Sequence, residues 1–340
     1  MTVYILTYIV ITVMVVVSST KASINLRKML YRLGMLILFF LSAFRGVSVG
    51  ADTQNYCDGF HKIRELSFVK AMKFPWEQGY VLVNWLIGYF TEDERILLVF
   101  LSIVILCPIF IWIKNESLSL CMSLIVFMGT GLWTNSMCVL RQWCAIAILT
   151  FSYRYIKREN FIRFLALVFV AALFHRTAVI FMLAYFVRKI KVTDINLILS
   201  GMVSVVLAIS GKFWLEVLNR FARIKAQQGF NGGISMFIFL WMCVIVIYMC
   251  FRGKIPSELQ LYYKILLLAA VMQPMAFTFS IWSRVIRYFT IPLIILIPNS
   301  ICYLTKSYNR KFRLPINMIV CMLLFVWFWK SIPEPYAFML

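Results

Sequence analysis

Charged side chains are scarce in this sequence: they make up 14% of its 340 residues, whereas 63% are hydrophobic. A soluble globular domain has about a quarter of its residues charged and about half of them apolar. With so few charges, a chain of this length lacks the polar surface that a soluble domain needs. The shortage excludes a soluble protein and predicts one that lies within a membrane.

Metal-binding and paired-cysteine motifs are also missing. The chain has only two histidines, and neither HExxH nor CxxC spacing occurs, so the patterns typical of a zinc site are absent. Eight of the nine cysteines lie in or at the ends of apolar runs, where packing explains them. Only Cys57 lies in a long polar segment. We therefore predict no metal site, and no disulfide at Cys57.

Long apolar runs dominate what is present, and a membrane-spanning helix needs about 20 mostly apolar residues. The candidate spans lie near residues 3–19, 29–44, 95–113, 118–133, 135–156, 160–174, 177–188, 194–210, 234–251, 261–280, 285–304 and 314–331. We find no internal repeat, low-complexity tract or domain boundary. The sequence predicts one all-α transmembrane domain over residues 1–340, a polytopic helical bundle of about 11–13 spans.

Lysine and arginine fall in alternate gaps between the runs, and such gaps are expected on the cytoplasmic side. These gaps contain Lys21, Arg27, Lys28 and Arg32; Lys114; Lys157, Arg158 and Arg163; Arg188, Lys189 and Lys191; Arg252 and Lys254; and Lys306, Arg310, Lys311 and Arg313. The resulting basic rim is expected to face anionic membrane lipids. Residues 45–94 and 211–233 are then outer segments, and the first includes a predicted interfacial or re-entrant helix.

Polar residues in or beside the apolar runs are the candidate functional residues, because a charge within a bilayer is costly and usually pairs or faces a cavity. The predicted topology places them all toward the outer side. They are Arg45, Asp52 and Tyr56; Glu77, Tyr80 and Asn84; Arg141 and Gln142; His175 and Arg176; and Arg284 and Arg287.

Several of these residues also have a structural explanation. Asp52 followed by threonine is good helix-capping chemistry. The aromatic residues near position 80 suit a membrane interface. The pair His175-Arg176 could face water in a tight helical hairpin. Arg284 and Arg287 are three residues apart and can share one helix face, which favours an anion site over a simple interfacial anchor.

The arginines on the outer side suggest one shared ligand. A guanidinium group matches phosphate oxygens in a two-pronged geometry. An anion that reaches a cavity within a membrane is most simply a lipid phosphate or pyrophosphate. The hypothesis is that the arginines converge on an outer-facing cavity and bind pyrophosphate there, and its members are Arg45, Arg141, Arg176, Arg284 and Arg287.

The order of these residues resembles the EpsG-like branch of the Wzy-type polymerases of O-antigen, capsule and exopolysaccharide. The resemblance is carried by Arg45, Gly50-x-Asp52-Thr53-x-x-Tyr56, Glu77-x-Gly79-Tyr80 with Asn84, Arg141-Gln142, Phe174-His175, Arg284 with Arg287, and Pro335-Tyr336. These positions extend from about residue 45 to the end of the chain. Residues 190–280 contribute none of them.

This resemblance implies a membrane glycosyltransferase of GT-C-like architecture in the bacterial inner membrane, with its active site facing the periplasm or the cell exterior. Such enzymes join oligosaccharide repeat units carried on undecaprenyl diphosphate, and need neither a nucleotide sugar nor a metal or other cofactor. The absence of DxD and P-loop motifs agrees with this. A flippase and a chain-length regulator are implied as partners beside the membrane lipids, and no nucleic acid is expected.

The chemistry then assigns roles. Arginines would stabilise the charge that develops on the leaving pyrophosphate, and the acceptor hydroxyl needs a base. The candidate catalytic residues are Asp52, His175 and Glu77. The candidates for sugar contacts are Tyr56, Tyr80, Asn84 and Gln142.

Three other functions remain open on the sequence alone. A flippase for the same lipid-linked units would need basic residues near the bilayer midplane that serve both leaflets, whereas the polar residues here lie on one side. A membrane O-acyltransferase would use a histidine beside an acid, and His175 is a candidate for that role as well. Its acyl-coenzyme A donor, however, is cytoplasmic, whereas His175 is predicted on the outer side. An O-antigen ligase would share the donor and differ in the acceptor.

Overall fold

The computed structural model describes residues 1–20, 22–222, 233–278, 280–307, 309–332 and 336–338. Within these ranges the chain is helical, and its β pairing is limited to an isolated bridge between Arg45 and Phe338. The α-helices there are α1 (Thr2–Ser19), α2 (Ile24–Ala43), α3 (Thr53–Arg64), α4 (Phe68–Ala71), α5 (Gln78–Phe90), α6 (Glu94–Glu116), α7 (Leu120–Gly129), α8 (Leu132–Cys138), α9 (Leu140–Thr150), α10 (Tyr153–Lys157), α11 (Phe161–Ala172), α12 (Leu183–Val187), α13 (Asp194–Ile209), α14 (Gly211–Ala222), α15 (Ile234–Cys250), α16 (Ser257–Met272), α17 (Ser280–Thr290), α18 (Leu293–Ser307) and α19 (Arg313–Ser331). Three 3-10 segments cover Arg176–Met182, Gln273–Phe277 and Arg310–Phe312.

Several helices are long and apolar enough to cross a membrane, so the chain is a multi-pass membrane protein. In the described ranges they are Thr2–Ser19, Glu94–Glu116, Ser257–Phe277, Ile281–Ser307 and Arg313–Lys330, with the bent pair α7 and α8 as a possible sixth. The predicted all-α polytopic bundle is confirmed. Full-length spans are fewer than the eleven to thirteen expected, because other apolar runs form helices that are shorter or interrupted, and α2, although 20 residues long, carries Arg27, Lys28 and Arg32.

One interruption matters for function. Helices α7 and α8 meet at an angle of 58°, and Gly131 between them has a φ of +74°, which glycine adopts without strain. A second break at Val139, with φ −110° and ψ 66°, separates α8 from α9. The run predicted as one span over 135–156 is therefore divided, and Arg141 lies in the first turn of α9 instead of within a continuous helix.

The chain divides into two compact units, one formed by Met1–Val179 with Ile297–Leu340 and the other by Ile180–Leu296. In the second unit, α16 packs against α13, α15 and α17. In the first unit, α6 packs against α2 and α9, while α7 packs against α1, α2 and α19. The buried indole of Trp133 in the first unit donates to the hydroxyl of Ser42 over 2.9 Å, so its one polar group is satisfied within apolar surroundings.

The predicted outer segment 45–94 contains three helices, α3, α4 and α5, and α5 covers the stretch predicted as an interfacial or re-entrant helix. Helix α3 packs along α5, and Ile63, Ala71 and Val81 form a small buried cluster between the three helices. Gly59 allows this packing, because a Cβ there would lie 1.9 Å from the ring of Trp76. Of the second outer segment, 211–233, residues 223–232 lie outside the described residues.

Candidate functional site

Glu77 is the centre of a polar network in the first unit. It precedes α5 in an extended conformation, with φ −65° and ψ 136°, and its side chain does not cap the helix. One carboxylate oxygen accepts a hydrogen bond from Nη1 of Arg141 over 2.5 Å. The other lies 3.1 Å from Nδ1 of His175. Only 9% of the Glu77 side chain is exposed, so these two partners take the place of water.

Close backbone packing holds the residues of the network together. The amide of Gly79 donates to the carbonyl of Leu173 over 2.8 Å, which fixes the start of α5 against the turn that follows α11. A Cβ at position 79 would lie 2.8 Å from that carbonyl oxygen, so only glycine permits this approach. The same turn directs the amide of Arg176 toward Glu77 over 3.3 Å. Helix α9 supplies Arg141 immediately after the break at Val139.

Aromatic rings enclose the guanidinium group of Arg141. Its Cζ atom lies 5.3 Å from the centre of the Trp76 ring and 5.9 Å from that of Tyr56. Trp76, Tyr56 and Tyr80 also contact one another edge to face, with ring centres 5.6–5.7 Å apart. The rings attract a cation and exclude water. The charge of Arg141 is therefore held in a fixed orientation beside Glu77.

The protonation state of Glu77 follows from these contacts. Burial raises the pKa of its carboxyl group, but the hydrogen bond with His175 and the charge of Arg141 outweigh burial and lower that pKa to about 2. Glu77 is therefore ionised at neutral pH. A carboxylate facing Nδ1 favours the tautomer of His175 that carries its proton on Nδ1. The Nε2 atom of that tautomer is then free to accept a proton.

The lowered pKa of Glu77 predicts a pH dependence of stability. A carboxyl group whose pKa is lower in the folded state stabilises the fold above its unfolded pKa, and this contribution is lost as the pH falls toward the folded pKa. For Glu77 the range runs from 4.5 down to about 2, which corresponds to on the order of 3 kcal/mol. We expect the free energy of unfolding of the native protein to fall more steeply than that of Glu77→Gln between about pH 5 and about pH 3. Parallel slopes in denaturant unfolding would contradict the assignment.

Asp52 lies at the N-terminal cap position of α3, one turn before Tyr56, but its side chain makes no capping hydrogen bond. It is half-buried, and its carboxylate has no hydrogen bond or ion pair within the described part of the chain. The turn before it depends on Gly50, whose φ of +98° favours glycine. A Cβ there would meet the carbonyl oxygen of Met137 at 2.9 Å. The capping explanation for Asp52 is not seen, so this carboxylate remains available for chemistry.

Arg45 is placed differently from Arg141. Only 1% of the residue is exposed, and its guanidinium donates to the carbonyl oxygens of Ser42 and Met137. Burial lowers its pKa to about 10. The adjacent amide of Gly46 donates to the carbonyl of Ala337 over 2.7 Å. In this structure Arg45 joins main-chain segments together, and its role with pyrophosphate stays a prediction.

The remaining predicted residues are three arginines and the four residues predicted to contact sugar. Arg176 is exposed next to the network, whereas Arg284 and Arg287 lie in α17 of the second unit, one helical turn apart, the first exposed and the second half-buried. Convergence of the five arginines stays a prediction. The residues predicted to contact sugar are buried, with exposures of 0–4%, and are Tyr56, Tyr80, Asn84 and Gln142.

From the sequence, Glu77, Arg141 and His175 are separate candidates, and their joining in one network is not predicted. Trp76 is expected only as an interfacial aromatic, although its ring packs against the Arg141 guanidinium. The available signal was the arginine itself, because a cation within an apolar run needs a counter-ion. No set of three or more His, Cys, Asp or Glu side chains arranged to hold a metal occurs among the described residues.

Comparison with known proteins adds one finding. The sequence model of the EpsG family matches residues 28–338, a range that includes the whole network around Glu77 and the arginine pair of α17. No curated protein and no solved structure matches the chain.

Proposed function

This chain belongs to the EpsG family, and from that premise we propose that it is a membrane glycosyltransferase that polymerises polysaccharide repeat units. Family membership supports a polysaccharide-polymerase-like role in general. The finer proposal is that the donor is an oligosaccharide carried on undecaprenyl diphosphate. The reaction would take place on the outer face of the bacterial inner membrane, where the distribution of lysine and arginine predicts residues 45–94 to lie.

The carboxylate of Glu77, shared between Arg141 and His175, is the observation that carries this proposal. One oxygen orients a base and the other holds a cation. Glycosyl transfer from a pyrophosphate needs both: a group that takes the proton of the acceptor hydroxyl, and a positive charge near the departing phosphate. Glu77 is accordingly a positioning residue, with His175 as the base.

The proposed reaction is a single displacement. The acceptor sugar hydroxyl gives its proton to Nε2 of His175 as its oxygen bonds to the anomeric carbon of the donor. The bond from that carbon to the pyrophosphate oxygen breaks, and the electron pair departs with the lipid pyrophosphate. Arg141 stabilises this charge with N–H groups that Glu77 does not occupy. Its Nε–H is buried without an acceptor in the described part of the chain.

The other predicted residues keep supporting roles in this proposal. Arg176 follows the base directly and presents an exposed side chain, and Arg284 and Arg287 are proposed as further contacts for pyrophosphate. Asp52, whose carboxylate has no partner among the residues that the structure describes, is the alternative base. A flippase that supplies donors and a regulator of chain length are the proposed protein partners.

A membrane O-acyltransferase is the second candidate, because the Glu77–His175 pair would also activate a sugar hydroxyl toward an acyl donor. Loss of the two activities leaves different polysaccharide products. Loss of a polymerase leaves single repeat units on their lipid, whereas loss of an acyltransferase leaves chains of normal length that lack acyl groups.

The test is the length of the polysaccharide on a gel after deletion of the gene and its replacement by variants. We expect Arg141→Lys to reduce chains longer than one repeat at least tenfold, because lysine keeps the charge beside Glu77 but loses the planar fork and the ring contacts. Arg32→Lys, an exposed residue of α2, is the matched control and should restore the full ladder. Protein amounts in the membrane are compared by immunoblot.

Two results would overturn the polymerase proposal. One is a ladder of normal length that lacks only acyl groups in the deletion strain, which would establish the second candidate. The other is a full ladder from Arg141→Lys at normal protein level, which would remove Arg141 from the reaction.

A further inference from the structure

A second polar site lies in the first unit, at ends of α1, α2, α6, α7 and α19 where none of the residues around Glu77 is found. It is a cavity of about 230 Å³. Four of its lining residues are basic, and no acidic residue is among those described. The four are Arg27, Lys28, Lys114 and Arg313. We propose that this cavity binds a phosphate group, carried either by an anionic phospholipid or by a soluble phosphorylated molecule.

The charge in the cavity has no compensation that the structure shows. Lys28 and Lys114 are exposed and make no ion pair within the described residues. The nearby acid, Glu116, is already paired with Lys157 over 2.6 Å. Four like charges around one small space repel one another, and an anion in that space would relieve the repulsion.

Hydrogen bonds within the protein orient Arg27 and Arg313 at the cavity before a ligand binds. Arg313 donates from Nε to the hydroxyl of Thr305 over 3.1 Å and from Nη2 to the carbonyl of Cys302 over 3.4 Å. Arg27 donates from Nη2 to the carbonyl of Thr20 over 3.1 Å. The Nε–H of Arg27 is buried and has no acceptor among the described residues. A buried donor without a partner costs free energy, and a phosphate oxygen would satisfy it.

Neutral donors complete the site. Helix α7 begins here after Ser119, whose side chain does not cap it, so the first amides of α7 direct the positive end of its dipole toward the cavity. Ser117 also lines this wall, and its hydroxyl oxygen accepts from the amide of Ser119 and the hydroxyl of Ser123, which leaves its own hydrogen for a ligand. Cationic groups, hydroxyls and a helix N-terminus together make the donor set that phosphate requires.

The position of the cavity separates it from the proposed reaction. Its basic residues belong to the gaps that the sequence predicts to be cytoplasmic, whereas Glu77, Arg141 and His175 are predicted on the outer side. A phosphate bound here would therefore be a ligand of the inner face and not the leaving group of the glycosyl transfer. Phosphate binding at this cavity does not depend on the polymerase proposal.

The test follows the thermal unfolding of the full-length protein in uncharged detergent. Sodium phosphate is titrated in one arm, against sodium chloride at equal ionic strength. Short-chain phosphatidylglycerol is titrated in the other, against short-chain phosphatidylcholine. We expect a saturable rise of the unfolding midpoint in at least one arm. Arg313→Gln and Lys114→Gln should each raise the ligand concentration at half-saturation roughly tenfold. Arg32→Gln, a charge-matched change outside the cavity, should leave that concentration unchanged.

The arms separate the two sources. Stabilisation by phosphatidylglycerol alone would assign a lipid headgroup, and stabilisation by sodium phosphate would assign a soluble phosphorylated ligand. If neither compound stabilises the protein, or if Arg32→Gln weakens binding as much as Lys114→Gln, the proposal is overturned. Because Lys114 is exposed, its variant keeps the test decisive even if Arg313→Gln does not fold.

Discussion

Substitution of His175 by glutamine is expected to lower the rate of chain elongation by roughly a hundredfold to ten-thousandfold, the usual contribution of a general base. We propose this role because Glu77 lies 3.1 Å from Nδ1 and leaves Nε2 to accept a proton. Glutamine keeps a polar side chain of similar length but cannot take up the proton. The measurement is incorporation of repeat units into long chains by membranes that contain equal amounts of native and variant protein.

The chain supplies a matched control for that experiment. Its only other histidine, His61, is also paired with a glutamate, Glu94, over 3.0 Å, but 43% of its side chain is exposed. His61→Gln should elongate chains at the native rate. If His175→Gln does so as well while Asp52→Asn is inactive, the base is Asp52 and the Glu77–His175 pair serves only the fold.

Substitution of Glu77 by alanine is expected to destabilise the protein by about 3 kcal/mol, the lower end of the range for breaking a buried ion pair. The cause is the Arg141 guanidinium, which stays enclosed by Trp76 and Tyr56 but loses its counter-charge. We place the effect at the lower end because 23% of the Arg141 side chain is exposed to water. Denaturant unfolding of the purified protein in detergent measures the change.

Two variants show whether the missing counter-charge is the cause. Glu94→Ala removes a glutamate whose side chain is 32% exposed, and should cost at most about 1 kcal/mol. Glu77→Ala combined with Arg141→Leu should regain much of the lost stability, because the unpaired charge has been removed, but should not regain elongation. A double variant as unstable as Glu77→Ala would mean that packing, and not charge, explains the loss.

The sequence predicted the fold class correctly but predicted the ends of the helices less well. Long apolar runs predicted an all-helical membrane protein, since a helix satisfies its backbone groups within each span. Separate spans were predicted over 118–133 and 135–156, whereas the structure interrupts the chain at Gly131 and again at Val139. The helix predicted in 45–94 coincides with α5, and the sequence did not predict that α3 and α4 accompany it, with Gly59 of α3 in close contact with Trp76.

For the site, sequence reasoning proposed candidate residues but could not supply their partners. Glu77 and Arg141 are 64 residues apart, and Glu77 and His175 are 98 apart, and no local pattern encodes such distances. Arg45 shows the opposite case. From sequence it is another outer arginine, and only its burial against the carbonyls of Ser42 and Met137 distinguishes it from Arg141.

The contact that closes the turn at Arg45 also sets an order for biosynthesis. The hydroxyl of Tyr336 donates to the carbonyl of Leu41 over 2.6 Å, between residues 295 positions apart, and Phe338 bridges to Arg45. A ribosome adding 5–20 residues per second needs roughly 15 to 60 seconds to cover that distance. During this interval Tyr336 and Phe338 are not yet available to pack at the turn of Arg45. The turn that leads into α3 is therefore completed only after synthesis reaches these last residues.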